Sequence, residues 1–446
     1  MTEGPRQTIP DAVLTRLNTA GEIGARWGWV EAEVWTEAML TALENGVRGG
    51  KWFSLWDKVC APATLRVAFE QVKANGGGAG EDHITVEEYE RKLEANLEET
   101  RQRLRSGKYR PQTIRRAWID KPGSKEKRPL GIPTVRDRVV QGALKPVLEP
   151  IYERRFAAHS YGFRPGRGCK DALRRVDDLL QRGYNWVVDA DLKSYFDTIP
   201  HEPLMKQVGR DVVDGKVLAL LEAFLSAEVM ESGKGWVPEG GTPQGAVISP
   251  LLSNIYLDPL DQGMEAGGYE MVRYADDFVI LCQTEAKARA ALAEVQRWTE
   301  ETGLQLHPEK TRIVDASQRG GFEFLGYHFE RGKKWPRRKS EHKLKQTIRT
   351  QTRRTHGRSL ATIITNLNRS FRGWFEYFKH SSNDYGFHKL DGWTRMRLRS
   401  ILRRRRGGRG RGCGRDHQRW PNAFFAAQGL FSLVTAYATA RQSPRG

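Results

Sequence analysis

Two acidic clusters stand where short apolar runs end. In Val187-Val188-Asp189-Ala190-Asp191-Leu192-Lys193-Ser194-Tyr195-Phe196-Asp197 an apolar run passes into carboxylates, and Tyr274-Ala275-Asp276-Asp277 lies between Met271-Val272-Arg273 and Phe278-Val279-Ile280-Leu281-Cys282. Charges at the end of a β-strand need partners or metal, because leaving them buried and alone is costly. If Asp191 faces Asp276 across a sheet, the pair can hold two Mg²⁺ ions about 3.5 to 4 Å apart, one activating an attacking hydroxyl and one stabilising the leaving group. Adjacent side chains on a strand point to opposite faces, so Asp276 and Asp277 are not equivalent and one of them dominates. Two plainer readings stand beside this one: Asp189, Asp191 and Asp197 cap a helix that begins near His201, and Asp276-Asp277 is an ordinary acidic turn.

The elements that position these residues follow from local pattern. Met271 to Cys282 reads as a tight hairpin, and Trp186-Val187-Val188 as a buried strand. Helical segments such as Ala286 to Thr302 alternate with such strands between about Ile114 and Phe329, which makes this body α+β. Upstream, residues 1–75 carry Trp27, Trp29, Trp35, Trp52 and Trp56 among helix-like patterns and end at the loop Asn75-Gly76-Gly77-Gly78-Ala79-Gly80. Tyr89, Leu93, Leu97 and Leu104 give Thr85 to Gly107 one amphipathic helix whose apolar stripe is core. Beyond Lys333 strand signals fade, and Leu344–Arg354, Leu360–His380 and Leu390–Arg406 read as three basic helices. Arg403 to Arg406 and the following Gly-Gly-Arg-Gly-Arg-Gly read as a mobile basic linker.

Charge separates these regions. The 446 residues carry a formal charge of +19, and from Arg331 to Gly446 there are 29 Lys or Arg against 5 Asp or Glu, a net of +24 that leaves −5 for residues 1–330. An excess of +24 repels itself without a polyanion, whereas a mildly acidic body needs local cations or metal wherever it meets phosphate. The cysteines, Cys60, Cys169, Cys282 and Cys413, form no Cys-x-x-Cys half-site, so they read as reduced thiols rather than zinc ligands. The N-terminus has no apolar signal core and no stretch reads as a membrane span, which predicts a cytoplasmic protein with no membrane partner.

The two acidic segments resemble motifs A and C of reverse transcriptases, and the chain supplies further motifs in the family's order. Lys121-Pro122 through Lys127-Arg128-Pro129-Leu130-Gly131-Ile132-Pro133 is similar to the fingers motif, followed by Ser160-Tyr161-Gly162-Phe163-Arg164-Pro165-Gly166-Arg167. Gly241-Thr242-Pro243-Gln244-Gly245-Ala246-Val247-Ile248-Ser249-Pro250 resembles motif B, and Gly303-Leu304-Gln305-Leu306-His307-Pro308-Glu309-Lys310-Thr311 and Phe324-Leu325-Gly326-Tyr327 resemble motifs D and E. The wording of these motifs is similar to that of proteins encoded by bacterial group II introns.

This resemblance implies a right-hand polymerase of α+β class followed by an α-helical thumb, also called the X or maturase domain. The expected division is an N-terminal extension (1–75), fingers and palm (76–332), thumb (333–406) and a basic linker with C-terminal extension (407–446). No His-Asn-His endonuclease domain is expected. Carried over residue by residue, Asp191, Asp276 and Asp277 are the catalytic carboxylates and Mg²⁺ ligands, with Asp277 secondary. Lys121 and Arg128 grip the triphosphate of a dNTP, Phe196 blocks a ribose 2′-hydroxyl, Gln244 packs near the nucleotide or template, and Lys310 sits near the pyrophosphate. Arg353, Arg354, Arg403, Arg404, Arg405 and Arg406 face nucleic acid. The implied function is RNA-directed DNA synthesis with assistance to splicing and mobility of an intron RNA, on an RNA template with a DNA primer or target, in a bacterial cytoplasm and at the nucleoid when acting on DNA. Two alternatives stay open: a free-standing reverse transcriptase serving defence or DNA repair, and an RNA-binding maturase without polymerase activity.

Overall fold

The computed structural model describes residues 26–47, 50–120, 127–355, 357–412 and 414–442. Lys121 and Cys413 lie outside the described residues. The chain divides into two compact units, one of residues 26–120, 127–177 and 190–312, the other of residues 178–189 and 313–442.

The first unit mixes helices with two groups of strands. β1 (Ile114–Asp120) and β2 (Lys127–Ile132) are antiparallel, and β4 (Val229–Glu231) and β5 (Lys234–Trp236) complete a sheet of order β2-β1-β4-β5, in which β1 and β4 are parallel. The last residues of β3 (Trp186–Asp191), Ala190 and Asp191, belong to this unit, and β3 neighbours β7 (Asp277–Cys282), which pairs in turn with β6 (Glu270–Tyr274). The β7 residues Phe278 to Cys282 are buried throughout, so this strand reads as a continuous apolar run rather than an alternating one.

The long helix Val135–Glu153 runs through the core of this unit. Val135, Val139, Val140, Ala143, Leu144, Val147, Leu148 and Ile151 are all buried along it. Two prolines lie inside this helix, and each lacks the N–H that would bond four residues back. For Pro150 that leaves the carbonyl of Pro146 free, and the Trp35 indole donates to it at 2.8 Å. The tryptophan-rich N-terminal segment is thereby fastened to the core. Its Trp35 is 1% exposed.

Thr85 to Gly107 is two helices, Val86–Glu90 and Leu93–Arg105, not one. Thr85 and Glu88 form a reciprocal capping box at the first, and Lys92 leaves helical geometry. The Tyr89 carbonyl, which a continuing helix would bond to the N–H of Leu93, instead accepts from the Lys92 N–H at 3.3 Å and from the side chain of Asn96 at 2.9 Å.

The second unit has a small antiparallel sheet of β9 (Phe322–Phe324), β10 (Tyr327–Glu330) and β11 (Lys333–Pro336), preceded by β8 (Arg312–Asp315), with helices after it. The three expected basic helices are Arg338–Gln351, Leu360–Phe378 and Tyr385–Arg405, the first and third starting five or six residues earlier than their apolar pattern. The opening turns of the first are polar, which hides them from a reading by hydrophobic period, whereas the third opens with the buried Phe387 ahead of its expected start. Phe371, Phe375, Phe387, Leu398 and Ile401 share one core with Trp420, Phe425, Leu433 and Tyr437, so the last helices, Asn422–Ala427 and Leu433–Gln442, belong to the same bundle.

Arg403 to Arg405 are the last turn of a helix rather than a mobile linker. Arg403 donates to the carbonyl of Arg409 at 2.9 Å and to Asp416 at 2.8 Å, and cations in a last helical turn are favoured by the helix dipole. No helix among the described residues is long and apolar enough to cross a membrane.

Candidate active site

The hairpin that carries the acidic pair is as tight as its sequence implies. Tyr274 pairs with Asp277, so Ala275 and Asp276 are the two turn residues. Asp276 therefore sits in the turn and Asp277 opens the strand. The two differ because one is a turn residue and the other a strand residue, not because they alternate along one strand. Ala275 has φ +61°, a left-handed conformation that disfavours residues with a Cβ.

A fully buried arginine holds that turn. Arg273 is 0% exposed and its Nε donates to both carboxylate oxygens of Asp261, at 2.8 and 3.0 Å. Its Nη1 donates to the Ala275 carbonyl at 2.8 Å and to Asn254 Oδ1 at 3.0 Å. Asn254 donates in turn to the Gly162 carbonyl at 2.8 Å. Gly162 packs so closely on the turn that a Cβ there would lie 2.1 Å from the Ala275 nitrogen. Ala275 and Gly162 lie in quoted motifs without an assigned role, while Arg273, Asp261 and Asn254 lie outside those motifs. The signal for Arg273 was present: a lone arginine inside the apolar strand Met271-Val272-Arg273 must have a partner.

Asp191 ends β3, and the chain turns sharply after it, with Ser194 at φ +51° before the short helix Tyr195–Thr198. The helix that begins at His201 has Pro200 as its N-cap and no side-chain cap, so Asp197 does not cap it. The segment around His307 is laid along Asp191. The His307 N–H donates to the Asp191 carbonyl at 2.7 Å and the Lys193 N–H to the Gln305 carbonyl at 2.8 Å. This places Lys310 on the acidic centre itself, its Nζ 2.5 Å from Asp191 Oδ2.

Arg128 acts on the same centre. Burial pushes the Asp276 carboxyl above its ordinary value and the negative charge of Asp191 adds to this, while a hydrogen bond from its own backbone and the charges of Arg128 and Arg273 oppose it. Arg128, with Arg116, also opposes the upward push that desolvation gives Asp197. Gln244 donates to Asp197 at 3.3 Å, and its carbonyl accepts from the Gly131 N–H at 2.7 Å. The freedom of Gly245, at φ +110°, serves a close approach of backbone to backbone: a Cβ there would lie 2.7 Å from the Gly131 carbonyl oxygen. Phe196 is half-buried, edge-on to Tyr195 and to Phe163.

Among the described residues no group of three or more His, Cys, Asp or Glu side chains is arranged as a metal cage. That is compatible with Mg²⁺, which is commonly held by one or two carboxylates and completed by substrate phosphates and water. Asp191 and Asp276, two hard-oxygen donors close enough for the charge of one to raise the other, fit that demand. In the helical unit Arg353, Arg354, Arg404, Arg405 and Arg406 are exposed, and Arg405 donates to the Arg358 carbonyl.

Residues 119–329 match the family described as Reverse transcriptase (RNA-dependent DNA polymerase), and residues 341–419 the family described as Group II intron, maturase-specific domain. The chain is 34% identical to Protein YkfC of Escherichia coli over 324 residues, 64% of this chain and 84% of that protein. It is 38% identical to the Group II intron-encoded protein LtrA of Lactococcus lactis over 208 residues, 47% of this chain and 34% of LtrA. A solved chain of a Cas6-RT-Cas1–Cas2 complex aligns with a TM-score of 0.36 at 24% identity, covering 56% of this chain and 41% of that one. The acidic hairpin, the motifs around it and a maturase-specific helical region follow one another in a single polypeptide, which belongs to the group II intron reverse transcriptase and maturase family of RNA-directed DNA polymerases.

Proposed function

We propose that the chain extends a DNA primer on an RNA template by nucleotidyl transfer from dNTPs at Asp191, Asp276 and Asp277, and that its helical unit holds an intron RNA whose splicing it assists. The observation that carries this reading is the convergence of Asp191, Asp276, Arg128 and Lys310 on one centre, although they come from segments spread along the chain.

Asp191 and Asp276 would hold Mg²⁺, with Asp277 secondary, and the bound ions would supply charge stabilisation for the attacking and leaving oxygens. Arg128 would bind the triphosphate, together with Lys121 from the neighbouring stretch of the fingers motif. Lys310 would turn from Asp191 toward the departing pyrophosphate and hold or donate a proton there. Phe196 would exclude a ribose 2′-hydroxyl by bulk. Gln244, linked to Asp197 on one side and to Gly131 on the other, would fix the floor against which the nucleotide packs. The net charge of +24 after residue 330 supports RNA holding by the helical unit.

The test is primer extension on an RNA template with Asp276→Asn. Loss of synthesis with retained RNA binding is expected, and retained synthesis would remove Asp276 from the centre. Splicing of the RNA that encloses the gene, at low Mg²⁺ with and without the protein, tests the maturase part. Splicing that does not depend on the protein would overturn that part alone.

A further inference from the structure

Phe163 combines two properties that seldom occur together in a large apolar residue. Its side chain is 44% exposed, and its backbone sits at φ +59°, in the left-handed region that residues with a Cβ avoid. Such a conformation persists only where the surroundings enforce it.

Here they do so from both sides. Before Phe163, the Tyr161 N–H donates to the Arg273 carbonyl at 2.9 Å, the Gly162 carbonyl accepts from Asn254 at 2.8 Å, and Gly162 lies directly on the Ala275 nitrogen. After it, Arg164 is 6% exposed and its guanidinium donates to both oxygens of Glu153, at 2.8 and 2.6 Å, and to the carbonyls of Ala157 and Ser160. The segment is thus bolted to the turn that carries Asp276, and what it displays to solvent is a phenyl ring.

That ring meets Phe196. The two centroids are 6.5 Å apart at 75°, an edge-to-face pair. Phe196 makes a second such pair with Tyr195, at 5.4 Å and 65°. Tyr195 is 1% exposed and its hydroxyl donates to the Ser253 carbonyl at 2.8 Å. Phe196 is therefore held by one fixed ring from within the core and by one mounted ring from outside it.

We propose that Phe163 is a specificity-determining positioning residue, whose ring fixes the orientation of Phe196 and so sets how strictly a ribonucleotide is refused. The proposal rests on the reading of Phe196 as the ring that blocks a 2′-hydroxyl. A ring with free rotation on its outer side can swing away from a 2′-hydroxyl, whereas one braced on both sides cannot do so without losing an aromatic contact.

The experiment measures kcat/KM for a dNTP and for the matching rNTP in single-nucleotide extension of a primer on an RNA template. The enzymes are wild type, Phe163→Ala, Phe163→Leu, Phe196→Ala and the double variant Phe163→Ala with Phe196→Ala. Phe196→Ala is expected to lower the dNTP-to-rNTP ratio most. Phe163→Ala is expected to lower it about three- to tenfold, the worth of one edge-to-face pair, mainly through a rise in kcat/KM for the rNTP. Phe163→Leu, which keeps apolar bulk without an aromatic edge, is expected to match alanine and guards against a misfolded alanine variant. In the double variant the Phe163 change is expected to add nothing. A lowered ratio for Phe196→Ala with an unchanged ratio for both Phe163 variants overturns this proposal and leaves the reading of Phe196 standing. An unchanged ratio for Phe196→Ala overturns that reading and the proposal with it.

Discussion

Lys310 and Asp191 form an ion pair 2.5 Å long at the acidic centre, joining the end of β3 to a segment that lies beyond the hairpin in sequence. A cation that neutralises a carboxylate also competes with any metal that carboxylate would bind. Lys310→Met is therefore expected to lower the Mg²⁺ concentration for half-maximal synthesis, by up to about fivefold given the modest worth of partly exposed pairs. If Lys310 also donates a proton to the leaving group, the plateau rate falls by about 10² or more. One Mg²⁺ titration of each enzyme reads both quantities, and an unmoved half-saturation point would count against the competition.

Gly162→Ala puts a methyl group where only 2.1 Å separates it from the Ala275 nitrogen, a backbone atom that cannot rotate away. The turn bearing Asp276 has to shift. Displacements of about 1 Å at a reacting centre cost on the order of 10²-fold in rate, so primer extension is expected to fall by about that factor while far-ultraviolet circular dichroism stays that of wild type. Near-normal extension would show that the turn relaxes without consequence.

Glu149 lies in the long core helix with its side chain 13% exposed and Lys145 at 3.5 Å. Burial holds its carboxyl above the ordinary value of 4.5, and Lys145 only partly offsets this. The folded chain then keeps the proton to higher pH than the unfolded chain does, so stability falls as pH rises from about 4.5 through the raised value and stays lower above it. Glu149→Gln, which has no proton to lose, is expected to have a higher urea midpoint than wild type at pH 8 and an equal one near pH 4. An unchanged midpoint at pH 8 would mean that Lys145 compensates the buried charge in full.

Arg403 and its neighbours are expected to behave differently although they are contiguous. Arg404 and Arg406 are exposed, and replacing either by alanine should reduce the slope of log K against log salt for RNA binding by about 0.7 to 0.9, one phosphate contact each. Arg403→Ala removes an ion pair with the buried Asp416 and should instead lower the free energy of unfolding, by on the order of 1 kcal/mol. Equal salt slopes for all three variants would contradict this division.

The acidic pair, its hairpin and its partner Asp191 were legible because each breaks a local rule, a carboxylate at the end of an apolar run. The α+β body and the basic helices were legible through period and charge. What escaped reading were features made by contact between distant segments. Neither the clasp of Arg273 on the Ala275 carbonyl nor the pairing of Lys310 with Asp191 has a period or a spacing. The single helix expected over Thr85 to Gly107 failed at one side chain, Asn96, which takes a backbone partner away from the helix. The aspartates' role as helix caps likewise failed on geometry, since Pro200 holds the cap position.

The contact between Gly131 and the Gln244-Gly245 turn constrains how this chain can diverge. A Cβ on Gly245 would meet the Gly131 carbonyl oxygen at 2.7 Å, and a Cβ on Gly131 would meet Pro243 at 3.1 Å. Gly245 has no room for a side chain, and Gly131 has room only if Ile114 and Pro243 give way slightly. The strand that carries Arg128 and the turn that carries Gln244 thus pack as one unit, and a chimera that takes the first from one relative and the second from another should fit poorly at that seam.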